Sequence, residues 1–171
     1  MTAEIDPQVR IGHVHLKVAD LERALKFYAG VLGLQIMQRL GDSAAFLSAG
    51  GYHHHIALNT WESLGGTSPA PGTTGLYHTA IVYPSRATLA DALRRVLTAG
   101  IPLEGAADHG VSESIYLRDP DGNGVELYCD KPREVWPRNP DGSLAMYTHH
   151  LDLHALLREA PDQTNTGPQD L

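Results

Sequence analysis

The chain has 171 residues, enough for one ordinary domain or two small fused modules, and its 42% hydrophobic and 19% charged residues are typical of a globular protein. Its net charge is −7 and it has no basic block, which argues against a surface for nucleic acid or anionic membranes. A single cysteine, Cys129, excludes an internal disulfide and fits a reducing compartment, so we expect a cytoplasmic protein.

The apolar residues give no sign of a targeting or membrane segment. Residues 1–10 contain no apolar run, so we expect no signal peptide. No stretch approaches the roughly 18 apolar residues that a membrane span needs. We therefore expect neither a membrane nor a nucleic acid among the partners.

The first half of the chain predicts the order β-α-β-β-β. Residues 11–18 have the composition of a strand, and Asp20 is a suitable N-cap for the amphipathic helix that follows and ends at Gly33. Three more strands are predicted at residues 34–39, 44–49 and 53–59. Residues 62–74 are rich in Ser, Thr, Gly and Pro and predict a connection.

The second half repeats that order. A strand at 76–83 precedes a helix that ends at Gly100, and strands follow at 103–107, 113–118 and 125–129. His13 and His78 hold matching places in the first strand of each copy. We expect an α+β fold in which two βαβββ modules, residues 9–61 and 75–130 of a domain at 1–138, form a half-open barrel around a shared metal site.

A tail at residues 139–171 follows this domain. The segment from Lys131 is at first rich in proline, and residues 151–158 predict a short helix. We expect the end from Ala160 to be frayed, and Trp136 and Tyr147 to pack on the domain or on a second subunit. His149, His150 and His154 are predicted to face solvent.

A turn and a strand near residue 126 predict a carboxylate that needs a cationic partner. Asp119-Pro120-Asp121-Gly122 is a turn sequence, and the strand after it places Glu126 and Tyr128 on one face and Val125 and Leu127 on the other. Burying a carboxylate on an apolar strand is costly unless a positive group meets it. With ten histidines in the chain, a metal ion held by imidazoles is the best candidate.

Three residues fit such a metal site. His13, His78 and Glu126 make up two imidazoles and one carboxylate, the facial triad of non-haem Fe(II) oxygenases, which leaves three of six coordination positions open. The alternative is that both histidines are half-buried strand residues and that Glu126 pairs with an arginine. His15 shares a face with His13, so the pattern leaves open which of the two is the ligand.

Further polar residues are candidates for acid–base work. One of His53, His54 and His55 is suited to proton transfer because the pKa of imidazole lies near the operating pH. Tyr116 lies ten residues before Glu126 on the preceding strand, and His109 lies on a loop, where pocket residues are common. Tyr116 is alternatively an ordinary strand tyrosine, and the histidine run an ordinary surface cluster.

The sequence resembles the vicinal oxygen chelate superfamily, which includes glyoxalase I, bleomycin-resistance proteins and extradiol dioxygenases. The resemblance covers residues 9–138 and is carried by the motifs at 12–21, 27–34 and 119–127. Within the superfamily the chain is most similar to extradiol enzymes of the catechol 2,3-dioxygenase type. That resemblance implies that His13, His78 and Glu126 are iron ligands. It selects His54, which opens the family's pattern in His54-His55-Ile56-Ala57-Leu58, and it assigns Tyr116 and His109 to the pocket.

The resemblance also implies a reaction and its rivals. The expected activity is Fe(II)-dependent ring opening of a catechol by O₂, with the particular catechol left open, in a homodimer or higher homo-oligomer. The alternatives are a metal-dependent isomerase or lyase like glyoxalase I, and a ligand-sequestering protein of the bleomycin-resistance kind. Glyoxalase I needs a further carboxylate ligand from the first module, and no Asp or Glu occurs between Gly51 and Thr60.

Overall fold

A computed structural model describes residues 4–162 of the chain. Two compact units divide between Ser68 and Pro69, inside the connection predicted at residues 62–74. Of the end from Ala160 that was expected to be frayed, Ala160 donates its backbone N–H to Leu157 and Pro161 accepts from Arg94, and the part beyond residue 162 lies outside the described residues.

The first unit is a four-stranded sheet with one helical segment. Its elements are β1 (Val14–Lys17), α1 (Leu21–Leu25) continued by a π-helical segment (Lys26–Val31), β2 (Gln35–Leu40), β3 (Ala44–Ser48) and β4 (Ile56–Asn59). The strand order is β1-β4-β3-β2, with β1 parallel to β4 and the other pairs antiparallel.

The helical segment begins and ends where the sequence predicts. The Asp20 side chain accepts a hydrogen bond from the backbone N–H of Arg23, which caps the first turn. Gly33 has a φ of 83°, a conformation that favours glycine and stops the helix. The apolar face of the segment, with Tyr28 fully buried, belongs to the core of the unit.

The second unit repeats the arrangement and adds a strand and a helix from the tail. Its elements are β5 (Thr79–Val82), α2 (Arg86–Thr98), β6 (Leu103–Asp108), β7 (Ser112–Arg118), β8 (Gly124–Asp130), a 3₁₀ turn (Arg133–Val135), β9 (His149–His150) and α3 (Leu153–Leu157). The strand order is β5-β8-β7-β6-β9, and β5 is parallel to β8.

One face of this second sheet is the core of the unit, which leaves the other face for the polar residues. Val125 and Leu127 are buried while Glu126 between them is only partly buried, as the alternation predicts. Helix α2 packs on β8 with Leu89 and Leu93 fully buried, and α3 packs on α2 through Leu156. Cys129 is also buried on the core face.

The internal repeat extends to the register of the strands. In both units an irregularity in pairing interrupts the second strand, between Ile36 and Gln38 in β2 and between Leu103 and Gly105 in β6. The fold class is thereby confirmed as α+β with two βαβββ modules, each built on an open sheet. That the two form a half-open barrel stays a prediction.

Three histidines lie just before strands and not within them, so their predicted placement on strands was wrong. The strands β1, β4 and β5 begin at Val14, Ile56 and Thr79, later than the sequence predicts. Gly50 and Gly51, with φ of 66° and 77°, turn the chain ahead of β4, and only His55 of residues 52–55 makes backbone hydrogen bonds to the neighbouring strands, at Leu47 and Val14. The ends of loops therefore contain His13, His54 and His78, and the alternation of a strand does not determine the direction of these side chains.

The tail packs on the second unit through Tyr147, as predicted, whereas Trp136 contacts Lys131 and Arg133 of its own segment. His149, His150 and His154 are exposed as expected. The strand at His149–His150 was not predicted. Among residues 4–162 the longest helix is α2, with 13 residues, and none has the length and apolar character needed to cross a bilayer.

Candidate functional site

The second unit brings His78 and Glu126 into direct contact. His78 directly precedes β5. Thr79, the first residue of β5, pairs with Val125 near the start of β8, so the imidazole lies beside that end of β8. His78 Nε2 is 2.9 Å from Glu126 Oε2, and the two side chains are 30% and 12% exposed. The partner that the Glu126 carboxylate was predicted to need is thus the His78 imidazole, and the two side chains together could also hold a cation.

Gly124 makes this close approach possible. A Cβ atom at that position would lie 2.1 Å from the carbonyl oxygen of Tyr77 and 3.0 Å from the Cβ of His78. The turn ahead of it is held by Asp119, whose Oδ1 accepts from the backbone N–H groups of Asp121 and Asn123. The turn and the small residue together fix the distance between His78 and β8.

Tyr116 lies directly opposite Glu126 on the neighbouring antiparallel strand, so the ten-residue spacing is a cross-strand pair. Its hydroxyl donates to Glu126 Oε1 at 3.2 Å. Burial raises the pKa of Tyr116 above its ordinary value of 10.0, and the Glu126 carboxylate raises it further. The phenol therefore keeps its proton at neutral pH and acts as a hydrogen-bond donor.

His109 joins the same cluster from the loop between β6 and β7. Its Nε2 is 2.6 Å from the Tyr116 hydroxyl, and its Nδ1 is 3.0 Å from the backbone carbonyl oxygen of Tyr147. Four of the six predicted site residues, His78, Glu126, Tyr116 and His109, are thus connected in one chain of contacts.

The other two predicted residues meet in the first unit. The imidazole rings of His13 and His54 lie 4.3 Å apart between centroids, and His54 Nδ1 is 2.7 Å from Nδ1 of His53. Burial lowers the pKa of His54 below its ordinary value of 6.5, and the nearby His13 and His53 lower it further. At neutral pH His54 is therefore a neutral imidazole that can accept a proton.

His15 is engaged elsewhere. Its Nε2 is 2.8 Å from the side-chain nitrogen of Asn59, and its ring packs edge-on against Phe46 and Trp61. An amide N–H donates, so the Nε2 lone pair of His15 is used by Asn59. Between the two candidates, this contact favours His13 as the free imidazole.

The paired residues of the second unit suit a divalent metal. Two ligands at right angles with bonds of about 2.1 Å are separated by about 3 Å, and the contact between His78 and Glu126 has that length. Within neither unit do three or more His, Cys, Asp or Glu side chains of residues 4–162 gather as a group that could hold a metal ion. Among the described residues, His78 and Glu126 are thus a pair of candidate donors and not a complete ligand set.

The first module has no acid at the position equivalent to Glu126. Phe46 pairs with Ala57 on β3 and β4, as Tyr116 pairs with Glu126 on β7 and β8. The repeat therefore replaces the tyrosine and the carboxylate of the second module by a phenylalanine and an alanine.

A cavity of about 180 Å³ adjoins the cluster in the second unit. His78 and Tyr116 lie on its wall together with Tyr77, Gly105 and the ion pair of Glu104 with Arg118, in which Arg118 Nε is 2.6 Å from Glu104 Oε1. The cavity thus adjoins two of the four connected residues, His78 and Tyr116.

The sequence did not point to the backbone carbonyl of Tyr147 as part of the cluster. The structure shows that Gly110, next to His109, has a φ of 78° and lies against Tyr147. In the sequence alone, a glycine at position 110 does not show that His109 contacts Tyr147, which lies far along the chain.

Comparison with known proteins assigns the family. Residues 10–127 match the model of the Glyoxalase/Bleomycin resistance protein/Dioxygenase superfamily. The chain belongs to this superfamily. It is 41% identical over 167 residues to a catechol-2,3-dioxygenase of Bacillus subtilis, a match that covers 97% of the chain and 58% of that relative.

A second relative and a solved structure also match the chain. The chain is 35% identical to biphenyl-2,3-diol 1,2-dioxygenase 3 of Rhodococcus globerulus, over 71% of the chain and 63% of the relative. This chain therefore spans less than two thirds of the length of either dioxygenase. A glyoxalase/dioxygenase structure from Nostoc punctiforme, 19% identical, matches the fold with a TM-score of 0.61 over 77% of the chain and 99% of that structure.

Proposed function

We propose that the chain acts as an extradiol dioxygenase that opens the ring of a catechol with O₂, and that His13, His78 and Glu126 hold its Fe(II). The observation that carries the proposal is the cluster of His78, Glu126 and Tyr116, in which two metal donors and a phenol converge beside a cavity. The similarity to two proteins named as dioxygenases supports it.

In this proposal His13, His78 and Glu126 would hold the metal, which would supply Lewis-acid activation of the catechol and of O₂. His78 and Glu126 provide one neutral and one anionic donor, and His13 provides the third from the first unit. Because Ala57 occupies the place equivalent to Glu126, the first module offers no carboxylate there to fill a fourth position.

The remaining site residues handle protons. Tyr116, which keeps its proton at neutral pH, donates a hydrogen bond to an oxygen of the bound diol. His54 is a neutral base next to His13 and transfers a proton near the reacting oxygen. His109 contacts the Tyr116 hydroxyl and sets which way that hydroxyl points.

The cavity favours a small substrate. Its volume of about 180 Å³ is below the roughly 300–1,000 Å³ typical of pockets for drug-sized ligands. A diol with a single aromatic ring is therefore the substrate class to test first, since His78 and Tyr116 lie on the wall of this cavity. The Glu104–Arg118 pair at the wall would lie close to substituents on that ring.

The decisive experiment loads the metal-free chain with Fe(II) under argon and then adds a catechol and air. We expect O₂ uptake and a yellow ring-opened product in equal amounts. Absence of both across several single-ring catechols, with Fe(II) and with Mn(II), would overturn the proposal. Mn(II) is included because imidazole and carboxylate donors also bind it.

Each alternative activity has a measurement of its own. Turnover of a thiol adduct of an α-ketoaldehyde without O₂, with Zn(II) or Ni(II), would indicate an isomerase like glyoxalase I. A double variant, His78→Ala with Glu126→Ala, that still binds an aromatic ligand fully would indicate a sequestering protein. A matched variant, His150→Ala on exposed β9, should keep the dioxygenase activity.

A further inference from the structure

The tail and the loop that carries His109 are joined by a reciprocal pair of contacts. The backbone N–H of Tyr147 donates to the carbonyl oxygen of His109 at 3.3 Å. In return, His109 Nδ1 lies 3.0 Å from the carbonyl oxygen of Tyr147. The hydroxyl of Thr148 lies 3.3 Å from the same Nδ1.

The tail is held in this position by contacts on both sides of Tyr147. After Tyr147, β9 pairs with the edge of β6 through Asp108 with His149 and Ala107 with His150. Before it, Lys131 Nζ lies 2.7 Å from both carboxylate oxygens of Asp108. Tyr147 therefore meets His109 from a fixed segment.

Gly110 allows the tail to lie against the loop. A Cβ atom at Gly110 would lie 2.7 Å from Cε1 of Tyr147 and 2.8 Å from Cγ of Pro137, distances that real Cβ atoms do not reach. The absence of a side chain at this position is thus a condition for the contact between Tyr147 and His109.

This contact decides which imidazole nitrogen carries the proton. A carbonyl oxygen only accepts, so Nδ1 of His109 must carry the hydrogen that meets Tyr147. In the neutral ring Nε2 then has a lone pair, and it faces the Tyr116 hydroxyl at 2.6 Å. The hydroxyl has one proton, for which the Glu126 oxygen at 3.2 Å is the more distant acceptor.

We infer that the tail positions His109 as its Nδ1–H tautomer, so that the Nε2 lone pair is a second acceptor for the Tyr116 proton beside Glu126 Oε1. Tyr147 and Thr148 are positioning residues that act through His109 and Tyr116. The consequence for catalysis rests on the proposed function, whereas the tautomer is a property of the chain itself.

The test measures the tautomer directly. Side-chain ¹⁵N shifts of His109 are recorded in the ¹⁵N-labelled, metal-free chain at a pH at which the ring is neutral. We expect a protonated Nδ1 and an unprotonated Nε2. A protonated Nε2, or an equal mixture of the two tautomers, overturns the inference whatever the enzyme assay gives.

Two glycine variants separate the tail contact from backbone strain. Gly110→Ala introduces the clash with Tyr147 and Pro137, whereas Gly100→Ala, with a φ of 69°, has nothing within 4 Å of the new Cβ. Both variants carry the strain of a positive φ. We expect Gly110→Ala alone to lose the Nδ1–H preference and about tenfold in kcat with KM unchanged, the size typical when a group that orients a site residue is lost.

The outcomes distinguish the inference from the proposed function. Equal His109 spectra in the two variants would overturn the role of the tail. If Gly110→Ala does not fold, two measurements still test whether the tail positions His109. They are the tautomer of the wild type and that of Thr148→Val, which removes the hydroxyl beside Nδ1. A wild-type chain with the expected tautomer but no O₂ uptake would reject the dioxygenase proposal and leave the positioning of His109 established.

Discussion

Tyr116 and Glu126 face each other across the β7–β8 pair, with the phenol oxygen 3.2 Å from one carboxylate oxygen while His78 meets the other at 2.9 Å. The two oxygens of one carboxylate thus serve different partners. One is available to share a metal with the imidazole, and the other is within reach of a proton donor.

Replacing Tyr116 by phenylalanine should separate these two tasks. The variant Tyr116→Phe keeps the ring on β7 and removes only the hydroxyl, so folding and metal content should stay unchanged. Loss of a hydrogen-bond donor to the substrate should lower kcat/KM about 100-fold. Oxygen uptake and metal analysis of the same sample check this, and loss of the metal would show that the hydroxyl instead supports the ligands.

We expect Glu126 to matter more than Tyr116 for metal binding. Glu126→Gln removes the anionic donor, and we expect metal affinity to fall by more than the roughly 100-fold seen for partners outside the ligand set. The matched variant is Glu113→Gln, also on this sheet but paired with Arg86 at 2.6 Å. It should keep the metal. Equal metal affinity of the two variants, measured by titration with a chelator as competitor, would contradict the ligand assignment.

The approach of His78 to β8 gives a prediction for stability. Gly124→Ala places a Cβ against the Tyr77 carbonyl, and overpacking of this kind typically costs about 1–3 kcal/mol. Gly105→Ala, on the neighbouring β6, places its Cβ 4.0 Å from Tyr116, an ordinary contact, and should change stability by less than about 0.5 kcal/mol. Urea unfolding of both variants measures the difference.

Wild-type stability in Gly124→Ala would mean that β5 and β8 separate there at little cost. In that case His78 should lose its contact with Glu126, and metal affinity should fall although the fold is intact. The two readouts together therefore show whether Gly124 maintains the pairing of the strands or only the position of the imidazole.

The fold could be predicted from local patterns because each module repeats them. The cap at Asp20, the stop at Gly33 and the alternation around Glu126 each follow from short-range chemistry that the structure reproduces. The start of a parallel strand is different, since it depends on where the partner strand arrives. His13 and His78 were therefore predicted to lie on strands and lie just before them.

The site was predictable in part for the same reason. Tyr116 and Glu126 belong to one hairpin, so their spacing along the chain gives their pairing in space. The contact between His109 and Tyr147 joins residues 38 positions apart through a backbone carbonyl. No side-chain pattern marks a carbonyl group, and the strand at His149–His150 that places it is only two residues long.

Asp108 should make the attachment of the segment that leads into the tail sensitive to acid, because that segment begins with Lys131. Burial by itself would raise the pKa of Asp108, but hydrogen bonds from Lys131 and from the backbone of Gly110, with the charge of Lys131, outweigh it and hold the pKa below the ordinary 3.8. A pKa that is lower in the folded state contributes stability above pH 3.8, and this contribution disappears as the pH falls through the folded value.

The variant Asp108→Asn tests this contribution. It should be about 1–2 kcal/mol less stable than the wild type at pH 7, since a charged hydrogen bond between side chains about a quarter exposed is lost. The difference should shrink as the pH falls below 3.8, because the wild type then loses the same interaction. Lys131→Gln should give the same narrowing, because it removes the cation that lowers the pKa. A constant difference between variant and wild type across the acid range, measured by urea unfolding at each pH, would show that the Asp108 carboxylate does not titrate with the tail contact.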